Sequence, residues 1–294
     1  MPILSLLRTI LVLGRISNLP TVWTNVAVGW FLTGGSWGPD LGWLLFGTSL
    51  VYVGGMTLND AFDAAWDRDH APARPIPAGR IAERSVWILG TLQLSAGAGV
   101  LLVVTTAHPA LVGGLVVAVL LYNWLHKRWA GSVLLMGLCR ALVYLAAGSA
   151  AAARTGTEGL PAALLVLAGG AVLYIAGLTL VARSEHLGEG ARLRLLPRLM
   201  LMLPVLFPLV SQRAAPHLTI HYPLAVLGVV GVAAWLTIVR RAFAERIPLG
   251  VGFAIAGIAF YDASVVAFAD WPAAVACLAC FVAALGLQRV VPAT

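Results

Sequence analysis

The densest group of carboxylates in the sequence lies in the stretch NDAFDAAWDRD, Asn59 to Asp69. It follows an apolar run and contains four of the chain's 12 acidic residues. In a helix, Asp63 and Asp67 share one face because they lie four residues apart, and Asn59 lies one turn earlier on that face. Carboxylates gathered this closely repel each other unless cations lie between them. The spacing therefore favours a site for a hard divalent cation such as Mg²⁺, with oxygen ligands.

A similar pattern recurs 122 residues later in the chain. The segment LYIAGLTLVARSEHLGE, Leu173 to Glu189, aligns with VYVGGMTLNDAFDAAWD, Val51 to Asp67. The matched positions are Tyr52 with Tyr174, Gly55 with Gly177, Thr57 with Thr179, Leu58 with Leu180, Asp63 with Glu185 and Asp67 with Glu189. Two carboxylate matches at one spacing favour an internal repeat over a chance alignment. The sequence predicts two acidic helix ends, related by this pseudo-repeat, that enter loops and face one cavity.

Basic side chains are interleaved with these acidic motifs. They are Arg68, Arg74, Lys127, Arg128 and Arg183. Such groups hold phosphate oxygens through charge-assisted hydrogen bonds, and Mg²⁺ is bound through one or two carboxylates completed by substrate phosphates. Acidic motifs, metal ions and cations at the end of an apolar bundle indicate a lipid diphosphate as substrate. The competing interpretation is a solvated loop at a helix end, and the repeat and the density of acids argue against it.

The composition of the chain indicates a membrane protein. Residues are 60% hydrophobic and 11% charged, with a mean hydropathy of +0.92, whereas soluble domains carry about 25% charged residues. Helices satisfy every backbone polar group in lipid, so we predict an all-α, polytopic transmembrane bundle that forms one domain over residues 1–294. Ten apolar runs are candidate spans, of which one can be re-entrant or interfacial. They are Ser17–Leu32, Leu41–Leu58, Val86–Thr106, Pro109–Leu125, Val133–Ala153, Leu160–Ala182, Leu195–Val210, Tyr222–Val239, Leu249–Phe268 and Pro272–Leu287.

Basic residues also predict the orientation in the membrane, because cytoplasmic loops carry an excess of Lys and Arg. One side of the membrane receives only Arg154 and Arg213. Both acidic motifs are therefore expected on the opposite, cytoplasmic side, and the membrane is expected to be a bacterial-type inner membrane. The basic residues of that side are Arg8, Arg15, Arg68, Arg74, Arg80, Arg84, Lys127, Arg128, Arg183, Arg192, Arg194, Arg198, Arg240, Arg241 and Arg246. The net charge of +7 is scattered over short loops, which argues against a nucleic-acid partner.

Several motifs resemble the UbiA superfamily of intramembrane prenyltransferases. The stretch NDAFDAAWD resembles its first signature, N-D-x-x-D-x-x-x-D, at Asn59, Asp60, Asp63 and Asp67. Three further segments are similar to family elements: RPIPAGRI (Arg74–Ile81), YNWLHKR (Tyr122–Arg128) and RISNLPTVWTN (Arg15–Asn25). The spelling LTLVARSEH is also similar to the UbiA-like EboC subgroup, found in bacterial clusters linked to the export of secondary metabolites. The resemblance implies an all-helical bundle of about nine spans around a cavity that opens sideways to lipid.

The resemblance also implies an activity and roles for particular residues. It implies Mg²⁺-dependent transfer of an isoprenyl group from a prenyl diphosphate to an aromatic or other small acceptor within the bilayer. The catalytic residues would be Asp63, Asp67 and Lys127. The metal ligands would be Asn59, Asp63, Asp67, Glu185 and Glu189, and the substrate-binding residues Arg74, Tyr122, Arg128, Arg140 and Arg183.

The second motif departs from the family pattern, which has an Asp-rich D-x-x-x-D. Here Glu185 and Glu189 stand at that spacing, and a longer side chain displaces each carboxylate. Mg²⁺-dependent prenyl transfer is the leading interpretation. The alternative is a UbiA-like protein that binds or helps to export a lipid-linked metabolite without prenylating it. An ion-coupled transporter would need more acidic residues within the spans than Asp262.

Arg140 is a charge inside an apolar run, where an ionisable residue is functional or paired. It can meet a substrate phosphate or an acceptor carboxylate from the wall of the cavity. It can equally pair with Asp262, the other ionisable residue deep in a span. The sequence leaves these two alternatives open.

Overall fold

A computed structural model of the chain describes residues 2–186, 195–214 and 221–292. Within those ranges every regular element is helical, which confirms the predicted all-helical class. The α-helices are α1 (Pro2–Leu13), α2 (Leu19–Leu32), α3 (Pro39–His70), α4 (Glu83–Val103), α5 (Pro109–Leu125), α6 (Ser132–Thr155), α7 (Ala162–His186), α8 (Leu195–Met202), α9 (Phe207–Ala214), α10 (His221–Glu245), α11 (Ile247–Val266) and α12 (Trp271–Leu287). Short 3₁₀ turns, Ile16–Asn18 and Leu203–Leu206, precede α2 and α9.

The described helices do not confirm the predicted number of about nine spans. In the described part of the chain, six helices are long and apolar enough to cross a membrane: α3, α4, α6, α7, α10 and α11. Four further apolar helices are shorter. Helices α5 and α12 have 17 residues each, about 25 Å at 1.5 Å per residue, against a hydrocarbon core of about 30 Å. These lengths support an integral membrane protein without confirming nine spans.

The run Leu195–Val210 is not one continuous helix. Helix α8 ends at Met202, a 3₁₀ turn follows, and α9 begins at Phe207. Pro204 lies in that turn and Pro208 in the first turn of α9. Proline lacks a backbone N–H and clashes with the preceding turn, so two prolines four residues apart interrupt a segment that its hydropathy alone would make a span.

Helix α3 continues through the acidic motif. The apolar run was expected to end near Leu58 and to enter a loop, but the helix extends to His70, for 32 residues in all. At 1.5 Å per residue it is about 48 Å long, longer than the bilayer core is thick. The motif therefore stands on a rigid helical extension, and the chain turns back only at residues 71–82.

Helices α3 and α4 approach each other closely along a row of glycines. A Cβ atom added to Gly54 would lie 2.5 Å from the Leu94 nitrogen, and one added to Gly97 would lie 2.6 Å from the Val51 nitrogen. Small residues allow such backbone contact between membrane helices. The close packing holds α4 and the loop before it against the outer end of α3.

A central cavity of about 220 Å³ lies between α2, α3, α5, α6, α7 and α11. The two helices of the predicted repeat both contribute to its wall, with Tyr52 and Thr179 among the lining residues. The glycines of the repeat are also sites of close approach. A Cβ atom at Gly55 would lie 2.9 Å from Val119 of α5, and one at Gly177 would lie 2.7 Å from the Met200 Cβ of α8. Each copy thus packs a neighbouring helix at the same position.

The glycine contact generates a stability prediction. We expect Gly54→Ala to lower the melting temperature of the detergent-solubilised protein, because the added methyl would contact the α4 backbone. Gly99→Ala in α4 is the matched control, since a Cβ there meets no atom within 4 Å. Alanine favours a helix over glycine by about 1 kcal/mol, so the control should keep or raise the melting temperature. Equal shifts in both variants would contradict the packing argument.

Candidate functional site

The predicted metal-ligand face of α3 is buried at the end of the bundle. Asp63 is 3% and Asp67 2% exposed, and Asn59 and Asp60 are also buried. By contrast, Asp69 of the same helix end is exposed. The four-residue spacing therefore puts the motif carboxylates inside the protein, where a charge needs a nearby counter-charge.

Arg74 supplies the first counter-charge from the loop between α3 and α4. Its Nη1 atom lies 3.1 Å from Asp67 Oδ2, 3.3 Å from Asp60 Oδ1 and 3.9 Å from Asp63 Oδ2. The loop is compact at this residue: the Arg74 nitrogen donates to the Ala71 carbonyl, and the Ala78 nitrogen donates to the Arg74 carbonyl. A single guanidinium nitrogen thus lies among three carboxylates, as a small cation would.

The end of α5 supplies two further side chains that contact Asp63. His126 Nε2 lies 3.1 Å from the Asp63 carboxylate, and Lys127 Nζ lies 3.6 Å from Asp63 Oδ2. The Lys127 ammonium also lies 5.3 Å from the centroid of the Trp66 ring. His126 and Lys127 follow directly after α5, which ends at Leu125. Asp63 of α3 is therefore contacted both from the loop after α3 and from the end of α5.

Asn59 is held by a network of neutral and cationic donors. Arg15 Nη2 donates to Asn59 Oδ1 at 3.4 Å, and Asn59 Nδ2 donates to Asn123 Oδ1 at 3.3 Å. Asn123 Nδ2 in turn donates to the Gly55 carbonyl at 2.9 Å. Arg15 and Asn123 also line the central cavity. The acidic cluster is therefore connected to the cavity through residues that hold Asn59.

Most of the remaining cavity wall is apolar, and Tyr122 and Arg140 are two of its polar side chains. Tyr122 stacks on His126, with ring centroids 5.1 Å apart. The cavity thus combines an apolar interior with a polar boundary beside the acidic motif, an arrangement that fits an amphiphilic molecule.

Arg140 is joined to Asp262 indirectly. Its Nη1 donates to Asn25 Oδ1 at 2.6 Å and its Nη2 to Thr21 Oγ1 at 2.8 Å. Asn25 Nδ2 then donates to Asp262 Oδ2 at 2.7 Å. No carboxylate of the described residues lies within 4 Å of the guanidinium as an ion-pair partner. Each of the two alternatives for Arg140 is therefore met in part, since it lines the cavity and is linked to Asp262 through an amide.

Asp262 is surrounded by donors from two helices. Thr24 Oγ1 and Tyr144 Oη each donate to it at 2.5 Å, in addition to Asn25. Charge-assisted hydrogen bonds of this length are stronger than neutral ones. The network ties α11 to α2 and α6 deep in the bundle.

Other predicted site residues are not brought to this cluster. The Arg128 guanidinium lies 5.9 Å from the Trp124 ring centroid, on the exposed side of the α5 end. Arg68 pairs with Glu83 at 2.8 Å on the surface. The side chains of Arg183 and Glu185, and the whole of Glu189, lie outside the described residues, so the predicted meeting of the two motifs remains a prediction.

Sequence reasoning missed several contacts of the cluster. It did not assign Arg15, Asn123 or His126 to the site, nor the pairing of Asp60 with Arg74. Asn123 and His126 lie within the segment YNWLHKR that marks the end of α5, so their proximity to a Lys-Arg pair was a usable signal. For Arg15, the one available signal in the sequence was its position just before the first apolar run.

The side chains of the first motif supply part of the oxygen ligands that an Mg²⁺ site needs. Asp63 and Asp67 present carboxylate oxygens to the same Arg74 nitrogen, and Asn59 adds an amide oxygen. Across the residues that the structure describes, no three His, Cys, Asp or Glu side chains form a metal-binding group by themselves. Mg²⁺ is commonly held by one or two carboxylates together with substrate phosphates and water, so this donor set fits once a diphosphate or the second motif completes it.

Comparison with known proteins relates this arrangement to a family. Residues 18–282 match the family model described as the UbiA prenyltransferase family. A digeranylgeranylglyceryl phosphate synthase from Methanopyrus kandleri is 32% identical over 123 residues, which make up 41% of this chain and 45% of that protein. The matched region therefore spans less than half the length of this curated relative.

Two solved structures share the fold. An apo structure of a UbiA homologue from Aeropyrum pernix K1 has a TM-score of 0.65 and 17% identity, covering 87% of this chain and 98% of that one. A UbiA homologue from Archaeoglobus fulgidus, bound to GPP and Mg²⁺, has a TM-score of 0.63 and 15% identity, covering 89% and 98%. At such identities these likenesses establish the helical fold alone.

The buried network at Asp262 generates a second stability prediction. We expect Tyr144→Phe to destabilise the protein by about 1–2 kcal/mol, because it removes one donor to a buried carboxylate. Tyr52→Phe is the control, since the Tyr52 hydroxyl donates to the Arg15 carbonyl at 3.3 Å and contacts the Asn18 side chain, and neither partner is a carboxylate. Thermal unfolding in detergent measures both. A Tyr52→Phe variant as unstable as Tyr144→Phe would contradict the network's role.

Proposed function

This chain belongs to the UbiA prenyltransferase family, and we propose that it transfers an isoprenyl group from a prenyl diphosphate to an aromatic or other small acceptor, with Mg²⁺, within the membrane. One observation carries the proposal: a buried acidic cluster, balanced by basic side chains, lies beside a mainly apolar cavity. The cluster suits a metal diphosphate and the cavity suits an isoprenoid chain. The Archaeoglobus fulgidus homologue bound to GPP and Mg²⁺ supports the pairing of these ligands.

The cluster residues take roles that follow from their contacts. Asn59, Asp63 and Asp67 would hold Mg²⁺, and bound Mg²⁺ supplies neutralisation of charge on the diphosphate oxygens. When a diphosphate enters, Arg74 can exchange its carboxylate partners for phosphate oxygens, because it already lies among the acids. Lys127, 3.6 Å from Asp63, would bind the same group. The remaining proposed ligands are Glu185 and Glu189 for the metal and Tyr122, Arg128 and Arg183 for the substrate.

The bonds, electrons and protons of the proposed transfer are accounted for by the two substrates alone. The allylic C–O bond of the donor breaks, and its electron pair leaves with the diphosphate. The nucleophilic atom of the acceptor forms a bond to the allylic carbon, and the acceptor releases a proton. Basic side chains at the cluster, Lys127 and Arg74 among them, stabilise the negative charge that develops on the leaving group, and the apolar walls of the cavity exclude water from the allylic cation.

The acceptor would occupy the part of the cavity near Arg140. This guanidinium has five N–H donors, and two of its nitrogens bond to Asn25 and Thr21. Its remaining donors can orient a carboxylate, hydroxyl or carbonyl group of an otherwise apolar acceptor. Thr21 and Asn25 fix the plane of the guanidinium and so the direction of approach.

The acidic end of the bundle is proposed to face the cytoplasm. Arg154 pairs with Asp40 at 2.6 Å, and Asp40 lies in the first turn of α3. The motif lies in the last turns of the same helix, so one of the two basic residues of the sparsely charged side is at the opposite end from the motif. This arrangement supports the orientation that the distribution of basic residues predicts.

A second candidate function is binding or export of a lipid-linked metabolite without chemistry. The observation that favours it is the second motif, in which glutamates at positions 185 and 189 replace the aspartates of the family pattern. A displaced carboxylate weakens the binding of Mg²⁺, because this small ion demands near-ideal octahedral geometry. The two functions differ in whether metal binding and diphosphate binding are coupled.

The metal-ligand assignment predicts the effect of isosteric substitutions in the first motif. We expect Asp63→Asn and Asp67→Asn each to lower prenyl transfer by about 100-fold or more, comparable with removing one electrostatic stabiliser from an active site. Asp69→Asn, an exposed change on the same helix end, should retain activity. Transfer is measured with the purified protein, a panel of prenyl diphosphates and Mg²⁺. Near-normal turnover by either motif variant at equal folded concentration would contradict the assignment.

The second motif predicts a coupling between metal and diphosphate. We expect the native protein to bind a prenyl diphosphate more tightly with Mg²⁺ than with EDTA, because carboxylates repel the diphosphate until a cation intervenes. Glu185→Gln should remove much of that difference, since it deletes one charge while shape is nearly unchanged. Calorimetry measures both affinities. If neither the metal nor the substitution changes binding, the non-catalytic function is the better account.

A further inference from the structure

A second, larger cavity lies on the other side of Arg15. It has a volume of about 820 Å³ and is bounded by α1, the loop between α3 and α4, and Pro292. Four guanidinium groups line it, and Asp60 contributes a carboxylate. The four residues, here called the arginine pocket, are Arg8, Arg15, Arg74 and Arg80.

Among the described residues, Arg74 is the one arginine of the pocket that has carboxylates within 4 Å. Asp60 is paired with Arg74 at 3.3 Å. Arg80 donates to a backbone carbonyl, that of Ala73, at 3.1 Å. Neither Arg8, Arg15 nor Arg80 has a carboxylate within 4 Å among the described residues. Like charges around one concave volume are unfavourable unless an anion lies between them.

Arg15 is held in place at a conformational cost. Its φ of 42° makes it the one residue other than glycine with a positive φ in the described ranges, and for an L-residue this region costs roughly 1–2 kcal/mol. The strained turn between α1 and α2 directs its guanidinium to Asn59, at 3.4 Å. Strain of this kind persists where the surrounding structure enforces it, and such residues cluster at functional sites. Arg15 lines both the central cavity and the arginine pocket, so the two cavities meet at this residue.

Helix α1 places the arginine pocket beside an apolar surface. Leu4 and Leu7 are exposed on α1, while Leu6, Arg8 and Thr9 of the same helix line the pocket. A helix that carries exposed leucines next to an exposed arginine suits the boundary between headgroups and acyl chains. An anion could therefore reach the pocket from the aqueous phase or as part of a lipid.

We propose that the arginine pocket binds a phosphate ester, carried by a soluble phosphorylated compound or by the headgroup of a membrane amphiphile. Guanidinium groups bind phosphate oxygens in pairs of parallel hydrogen bonds. Arg8 lines the pocket from α1, and Arg80 lines it from the loop between α3 and α4. The pocket shares Asp60 and Arg74 with the acidic cluster, but Asp63 and Asp67 do not line it. It extends beyond the proposed transfer reaction and does not require that reaction to occur.

The first test uses glycerol 1-phosphate as a soluble probe. The full-length protein in neutral detergent with EDTA, and without prenyl diphosphate, is titrated by calorimetry. We expect the double variant Arg8→Gln/Arg80→Gln to weaken binding about tenfold or more, because two charge-assisted contacts are lost. Arg84→Gln is the matched control, an exposed arginine at the start of α4 that does not line the pocket. Arg8→Gln alone repeats the measurement if the double variant melts differently.

The second test uses nanodiscs of phosphatidylcholine with or without phosphatidylglycerol, followed by native mass spectrometry of the released protein. Retention of phosphatidylglycerol by the native protein and by Arg84→Gln, but not by the double variant, assigns the phosphate to a lipid headgroup. Saturable glycerol 1-phosphate binding with the same dependence assigns it to a soluble compound. Asp63→Asn should retain either binding, which separates this proposal from the transfer reaction. No binding of either probe by the native protein, or a double variant equal to Arg84→Gln with both, overturns the proposal.

Discussion

Neutralisation of the carboxylates at the end of α3 is the interaction on which this end of the bundle depends. Asp60, Asp63 and Asp67 are buried together, and removing one partner of a buried charge pair costs about 3–5 kcal/mol. The partners of the carboxylates come from separate segments: Arg74 from the loop after α3, and Lys127 with His126 from the end of α5. The carboxylates of α3 therefore help to fix the conformation of the loop after α3 and the position of the α5 end. A diphosphate and its metal would enter an electrostatic balance that already exists.

A second polar constraint lies deep in the apolar part of the bundle. Arg140 and Asp262 are linked through Asn25, and Thr24 and Tyr144 complete the shell of the carboxylate. In a low-dielectric interior each hydrogen bond is strengthened and each missing one is costly. This network fixes α2, α6 and α11 relative to one another, so the central cavity has a defined wall on that side. It also leaves a guanidinium at the cavity surface, a specific polar feature in a mainly apolar space.

The two cavities differ in the chemistry of the side chains that line them. The central cavity is mainly apolar, whereas the arginine pocket is lined by cations, and Arg15 belongs to both. An amphiphile with a charged group and an apolar chain has matching surfaces on either side of this residue. The glycine contacts between α3 and α4 keep the loop that carries Arg74 and Arg80 close to this junction. Packing of small residues between α3 and α4 thus positions the charged residues of the loop that joins them.

The sequence by itself determined the all-helical membrane class and the shared face of Asn59, Asp63 and Asp67, because composition and four-residue spacing are local properties of the chain. It did not determine how many helices are long enough to span, since Pro204 and Pro208 interrupt one apolar run and α5 and α12 are short. Only the tertiary structure decided which cation meets which carboxylate, and that Asn25 stands between Arg140 and Asp262. The contacts of Asn25 with Arg140 and Asp262 join residues more than one hundred positions apart, and Lys127 lies 64 positions from Asp63. Such contacts depend on the depth and crossing of packed helices, which no local pattern encodes.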